Sequence, residues 1–429
     1  MQRQSPPAPY NLPKPQASTQ TMKRVLMIAY HFPPLAGSSG IQRTLRFARH
    51  LPAFGWEPII LTAASRAYER TADDQLTDIP DGLQVVRAPA WDTARHFAIA
   101  GRYPRFLARP DRWASWWPGA VLAGNRLIKR FAPQAMWSTY PIATAHRIGA
   151  TLHAGSGLPW IADFRDPMAQ EDYPEDPATR RIFARIEAST ISHSAMSTFT
   201  TPSALDLYRQ RYPDHSARMR LLENGYDEES FAAVSSAGAL NPGKLTLLHS
   251  GIVYPSERDP RALFAALARL KQTSASVFDR LKVRFRAPVH DALLNTLAAQ
   301  HGVEQAIETL PPIGYREALS EMLCADGLLI LQASNCNAQI PAKLYEYMRA
   351  DRPTIVLTDP LGDTGTTSRA AGLSAIAPLN DHAAIAALLE RFVREPNSGT
   401  RATRSAIENA SRFGRTRELA NLLDVASNK

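Results

Sequence analysis

Lys343 and Glu346 stand three residues apart in IPAKLYEYMRADR, a spacing that puts an ammonium and a carboxylate on one face near the start of a helix. Pro341 suits the first turn of that helix, and the residues after it are good helix formers. Leu344, Tyr347 and Met348 fall together on another face. An apolar run over 327–333, read as a buried parallel strand, leads into it through the polar loop 334–339. In an open α/β sheet, ligands lie beyond the carboxyl ends of the strands, where the free N–H groups of the next helix favour an anion. Strand, polar loop and helix in this order could build a nucleotide site. Glu346 could equally be a solvated helix carboxylate paired with Lys343 or Arg349.

Two further stretches carry residues suited to chemistry. In HFPPLAGSSG, Gly37 and Gly40 flank Ser38 and Ser39 and let a backbone come close to a ligand. The stretch lacks the Lys-Ser/Thr ending of a P-loop and is not a GxGxxG, so a simple turn is the competing reading. The second stretch is the turn Asp163, Phe164, Arg165, Asp166, which follows an apolar strand and could be either a reactive cluster or a structural ion cluster. His31 and His146 read as packed or surface histidines.

The elements that must position these groups alternate along the chain. Apolar strands at 23–30, 58–62, 83–87, 135–139, 160–164, 198–201 and 221–227 are separated by helical patterns, which indicates a parallel sheet with helices on both faces. The small, turn-rich segment 232–244 reads as a linker. A second alternating unit follows, with strands at 245–251, 281–287, 307–310, 327–333 and 354–357, and a terminal helical stretch closes the chain. The expected division is a disordered tail over 1–22, a first domain over 23–231, the linker 232–244, a second domain over 245–402 and a terminal helix over 403–429.

Composition narrows the function classes. The chain has 429 residues and 45% hydrophobic content, enough for two domains with separate cores. Cys324 and Cys336 form no zinc spacing and no disulfide framework, which fits a reducing cytosol. No uninterrupted apolar run of about 18 residues occurs, and the first 22 residues lack the apolar stretch of a signal peptide. The net charge of +9 is concentrated. Segment 95–130 holds Arg95, Arg102, Arg105, Arg109, Arg112, Arg126, Lys129 and Arg130 against Asp111 alone. Phe97, Tyr103, Phe106, Trp113, Trp116 and Trp117 are interleaved with them, a combination suited to an anionic membrane surface. The plain alternative is a solvated loop with its tryptophans turned inward. No nucleic-acid motif accompanies the charge, and the missing GxGxxG with a following acid argues against a nicotinamide-dependent enzyme.

Five stretches in order resemble one family. They are YHFPPLAGSSGIQRTLRFARHLPAFGWEPIILT, WIADFRDP, LLENGYDEESF, HSGIVYPSERDPRALFAAL and IPAKLYEYMRADRP, and together they resemble the family 4 (group 1) glycosyltransferases of bacterial polysaccharide clusters. The resemblance implies the GT-B fold: two Rossmann-like domains facing across a cleft, donor in the second, acceptor against the first, and a C-terminal helix crossing back to the first. It implies transfer of a sugar from a nucleotide-diphosphate sugar to a glycan or lipid-linked acceptor. It further implies retention of configuration, no metal and no cofactor besides the substrate. Glu346 matches the second glutamate of the family's Glu-x7-Glu motif, which holds the ribose, whereas the first glutamate is replaced by Ala338. Arg258 and Lys343 would meet the diphosphate, with Gly251 and the amides near Gln339 and Ile340 completing the donor side; Arg258 could instead pair with Glu257 or Asp259. Asp163 and Arg165 stand where the family often has a histidine, and are the candidates for the reacting side. The cysteine usage points to the cytoplasm, and the basic aromatic segment 95–130 suggests a peripheral place on the inner face of the plasma membrane. A non-catalytic nucleotide-sugar-binding or scaffold protein of the same fold is the alternative.

Overall fold

The computed structural model describes residues 22–36, 40–73, 75–171, 173–236, 238–396 and 401–428. The chain forms two units. One runs up to Glu223 and takes the chain back from Arg412, and the other holds Asn224–Ser411.

The first unit is built on seven parallel strands: β1 (Lys23–Ile28), β2 (Trp56–Ala63), β3 (Gln84–Ala88), β4 (Ala135–Thr139), β5 (Trp160–Arg165), β6 (Met196–Phe199) and β7 (Met219–Leu221). Their order across the sheet is β3-β2-β1-β4-β5-β6-β7. The apolar run of β1 is explained by burial on both faces. Val25 and Met27 point to a layer with Leu45, Ala48, Leu419 and Leu423, while Leu26 and Ile28 point to a layer with Trp116, Ala120 and Ile148. The first layer rests on helices Gly40–His50 and Arg412–Ser427, the second on helices Trp116–Phe131 and Ala143–Ser156. The reversal of strand order between β1 and β4 leaves the crevice at which doubly wound sheets take ligands.

The second unit repeats the plan with six parallel strands: β8 (Leu245–Ser250), β9 (Leu281–Arg286), β10 (Ile307–Leu310), β11 (Gly327–Leu331), β12 (Thr354–Leu357) and β13 (Ile376–Ala377). Their order is β10-β9-β8-β11-β12-β13, so the reversal falls between β8 and β11. On β11, Leu329 and Leu331 meet Leu263, Phe264 and Leu389, and Leu328 and Ile330 meet Leu344, Tyr347 and Met348. The helix Lys343–Ala350 is thereby clamped along one side to the sheet. Each of its buried leucine-sized side chains contributes roughly 1.5–3 kcal/mol.

Three sequence expectations are corrected. The segment 232–244 is no linker, because the division falls between Glu223 and Asn224. Asp227 caps the helix Glu228–Ala232, Phe231 is buried in the second core, and Asn241 donates to Glu308 at 3.2 Å. Glu228 forms a buried ion pair with Arg349 at 2.5 Å, which binds the helix leading into this segment to helix Lys343–Ala350. The region 403–429 is not one helix. Thr403 caps Arg404–Asn409, whose Ile407 lies in the second core, and only Arg412–Ser427 packs on the first unit. The strand expected at 221–227 ends at Leu221, where the chain turns into the Asp227 cap. The expected tail over 1–22 lies outside the described residues except for Met22.

Candidate functional site

In the second unit the functional side chains gather at the ends of β8 and β11. Gly251 follows β8 with φ +115°, a conformation that side-chain-bearing residues rarely adopt. A Cβ there would lie 3.0 Å from Nζ of Lys343, so the glycine makes room for the amine. Lys343 opens its helix, and its Nζ stands 3.2 Å from Nε2 of His249 on β8. His249 is fully buried, with Nδ1 3.0 Å from the Leu329 carbonyl on β11. A carbonyl only accepts, so Nδ1 carries the proton and Nε2 accepts from Lys343. Burial, and next the positive charge of Lys343, keep this imidazole neutral, well below the ordinary histidine range.

Burial and then the neighbouring Arg258 push the Lys343 amine down to about 7, with Glu346 opposing the shift. Arg258 donates through Nη1 to the Ile252 carbonyl at 2.5 Å and lies over the Tyr254 ring at 5.2 Å. Its Nε is buried with no hydrogen-bond partner. Asp259, the pairing candidate from sequence, binds Arg261 instead at 2.8 Å. Arg349 is likewise committed to Glu228, and Oε1 of Glu346 accepts from the Tyr315 hydroxyl at 2.9 Å. The result is two neighbouring cations, one with an unused donor, beside a carboxylate that is held by a phenol. Such a pair repels itself when buried, and an incoming anion relieves the repulsion.

One of the two amides expected at the donor side is engaged within its own loop. The Gln339 N–H donates to the Cys336 carbonyl at 2.9 Å, and its own carbonyl accepts from Thr364 at 2.9 Å. Ile340 is 8% exposed and packs in the core beneath the helix. Ala338 is exposed on the same loop.

In the first unit the candidates separate. Asp163 is fully buried, and both oxygens are spent internally. Arg43 binds it twice, at 2.9 and 2.7 Å, and Thr139 and Thr198 each donate at 2.8 Å. Despite burial, these partners hold its carboxyl below the usual range. Arg43 also donates to the Leu222 and Glu223 carbonyls at 2.9 and 3.0 Å. The expectation of a reacting Asp163 is corrected: it fastens helix Gly40–His50 to β5 and to the end of β7.

Arg165 is different. A register shift in β5 and φ +59° turn it out of the strand. Nη1 reaches the Tyr140 carbonyl at 3.4 Å, and Nε is buried without a partner. A Cβ at Gly40 would come within 2.4 Å of His31 Nδ1 and 2.6 Å of Arg165 Nη1, so Gly40, His31 and Arg165 meet at the end of β1 and β5. Burial, followed by the charge of Arg165, lowers His31 to about 3, so its ring is neutral. A cavity of about 280 Å³ beside them is lined by Tyr30, His31, Ala36, Glu69, Arg70 and Trp113, among others. Gly37, Ser38 and Ser39 lie outside the described residues. His146 is a core residue, its Nδ1 2.8 Å from the Ser138 hydroxyl.

The basic segment 95–130 divides. Trp116 is fully buried, and Trp113 and Trp117 spend their N–H groups on Ala67 and Thr151. Ile99 (85% exposed) and Phe106 (70%) instead face solvent, with the exposed Arg95, Arg102 and Arg105 close by in sequence and no acid between residues 93 and 110.

Neither His249 nor Arg43 stands out in sequence. A lone histidine at the end of an apolar strand, and an arginine on an amphipathic helix, both read as ordinary. Only the paired strand ends expose their roles.

Residues 39–225 match the family described as "Glycosyl transferase 4-like domain". No curated protein matches the chain in sequence. Among solved structures, the chain is similar to an alpha,alpha-trehalose-phosphate synthase (UDP-forming) from Burkholderia xenovorans. The two share 10% identity and a TM-score of 0.64, over 94% of this chain and 100% of that one. It is also similar to sucrose-phosphate synthase from Thermosynechococcus elongatus, with 14% identity, TM-score 0.59 and coverage of 95% and 96%. A third is Anabaena HepE in complex with UDP, with 11% identity, TM-score 0.59 and coverage of 95% and 98%. At these identities the structural likeness is one of fold. Residues 39–225 thus form a glycosyl transferase 4-like domain within the first unit, and the pair of Rossmann-like sheets gives the chain the GT-B fold.

Proposed function

We propose that this glycosyltransferase moves a sugar from a nucleotide-diphosphate sugar to a glycan or lipid-linked acceptor in cell-surface polysaccharide synthesis. It does so with retention of configuration and without a metal, in the cytoplasm at the inner membrane face. The observation that carries the donor assignment is the convergence of Lys343, Arg258 and Gly251 beside Glu346 at the β8–β11 reversal. As the bond from the sugar to the diphosphate breaks, negative charge grows on the leaving oxygen, and preorganised cations stabilise it. Lys343 and the free Nε of Arg258 take that role, and Glu346, steadied by Tyr315, takes the ribose hydroxyls. Within the first unit, Arg165 and His31 are the groups proposed to serve the acceptor, which would occupy the neighbouring cavity. The named ligands of two similar structures, UDP and UDP-glucose on HepE, support a uridine donor among the nucleotides to be tried.

The test is a binding panel of UDP, GDP, ADP and NAD followed by transfer assays with membrane extract as acceptor, with and without EDTA. Stabilisation by NAD alone would overturn the donor reading, and nucleotide-sugar binding without transfer would favour the non-catalytic alternative. Loss of transfer in EDTA would remove the metal-free part.

The membrane part rests on Ile99 and Phe106 standing out among arginines. Apolar side chains that enter the headgroup region and cations that meet anionic lipid are the two components of peripheral binding. Among the described residues no helix is long and apolar enough to span a membrane. Flotation with anionic and neutral vesicles decides it: equal recovery in both would sink the membrane reading.

A further inference from the structure

We propose that His249 is a positioning residue of the donor half-site, whose neutral Nε2 accepts from Lys343 and holds that amine over Gly251 for a nucleotide diphosphate, and that the amine gains its proton together with the ligand. The inference rests on the donor reading above.

The argument is geometric. His249 is fully buried on β8, a strand flanked in the sheet by β9 and β11. Its Nδ1–H is committed to Leu329 on β11, so the neutral ring carries its lone pair on Nε2, which stands 3.2 Å from Nζ of Lys343, with the Ile252 carbonyl also against the ring. A carboxylate in this place would also hold the lysine, but it would cancel the charge that the site needs. An uncharged acceptor fixes the amine and leaves its charge available to an anion.

The groups facing Nζ are His249 on β8, Arg258 from the following loop, and Glu346 on its own helix. Tyr347, one turn along, is a phenol already engaged with the Ser250 N–H at 2.9 Å. Glu346 is the one acid among them, and Tyr315 draws on its Oε1. The empty site therefore disfavours a protonated Lys343 through burial and Arg258, as its depressed titration reflects. A diphosphate supplies the missing negative charge, and the amine then binds a proton. By linkage, affinity is full below the free-site value near 7 and falls as pH rises through and above it.

The experiment is calorimetric titration of the full chain with UDP, GDP and ADP at pH 6 and pH 8, in buffers of differing ionisation enthalpy. The expected result for the nucleotide that binds is uptake approaching about one proton at pH 8, little at pH 6, and weaker affinity at pH 8. His249→Phe, which keeps bulk and removes the acceptor, should raise Kd about tenfold or more at pH 6, as loss of a charge-assisted hydrogen bond does. His249→Gln, which keeps an acceptor, should restore most of the affinity, and Lys343→Met should abolish the uptake. Thermal melts establish that each variant is folded. If Phe is not tolerated in the strand, Lys343→Met and His249→Gln still decide the matter. Uptake that survives Lys343→Met, or a folded His249→Phe with wild-type affinity and uptake, would overturn the inference while leaving the donor reading intact. Failure of the wild type to bind any nucleotide would remove both.

Discussion

Arg43 grips Asp163 with two parallel hydrogen bonds, 2.9 and 2.7 Å long, in a place where both side chains are almost wholly shut from solvent. The pair joins a helix to a strand 120 residues away, and Arg43 also binds the Leu222 and Glu223 carbonyls just after the seventh strand. Removing one partner strands the other as a buried charge, which costs roughly 3–5 kcal/mol. Asp163→Asn should therefore lower the stability of the first unit by about that amount, read as a shift in the urea midpoint. The pH dependence follows from its depressed carboxyl. Its contribution is present above the unfolded aspartate value and is lost as pH falls through the folded one. A variant with unchanged stability but no transfer would return Asp163 to the reaction.

Gly251→Ala should damage binding more than folding. The backbone at φ +115° resists any side chain, and the new methyl would press on Nζ of Lys343. Strain of this kind costs on the order of 1–3 kcal/mol. The expected outcome is a nucleotide Kd raised about tenfold with a melting temperature only a few degrees lower.

Gly40→Ala is the matching probe in the first unit. The added Cβ would collide with both His31 and Arg165, so transfer should fall while nucleotide affinity, which the proposed donor site assigns to the second unit, stays at the wild-type value. Parallel transfer and calorimetric measurements separate the two effects. A loss of nucleotide affinity would contradict the assignment of the donor to the second unit.

Ala338→Glu should be accepted by the fold, because the position is exposed on its loop and exposed substitutions shift stability by about 0.5 kcal/mol or less. Its effect should appear in donor choice. Competition between nucleotide sugars that share a base and differ in the sugar would report a changed ratio, with the affinity for the bare nucleotide unaltered.

Ile99→Ser with Phe106→Ser should abolish recovery with anionic vesicles and leave the melting temperature unchanged, since both side chains face solvent. Undiminished flotation would move the contact to another part of segment 95–130.

The double alternation of strands and helices was legible because buried parallel strands must be apolar on both faces, as β1 and β11 are. The strand β13 was not, because it is two residues long and holds no pattern. Lys343 and Glu346 could be placed together because one helix carries both, and Gly251 and Arg258 because they lie in the loop after an evident strand. Gln339 was misjudged for a local reason: its amide turns back to Cys336 in the same loop. For Asp163 the sequence left a reacting and a structural role open, and only the fold decides for the structural one, since its partner Arg43 comes from a helix 120 residues away. The boundary at Glu223 was hidden because small, polar residues over 232–244 imitate a linker, while Phe231 just before it and Asn241 within it are anchored to the second unit.

The helix Arg412–Ser427 completes the first unit with Leu419 and Leu423, and Lys23 at the start of β1 reaches Asp424 near its end at 2.9 Å. The first unit is thus assembled from both ends of the chain, whereas the second is one uninterrupted stretch. Until the closing helix docks, the part of the first sheet's apolar face that Leu419 and Leu423 cover stays open, while helix Gly40–His50 covers the rest. Truncation after Ser411 should leave a foldable second unit joined to an aggregation-prone first one, and a circular permutant opened at the Glu223–Asn224 junction would make both units continuous.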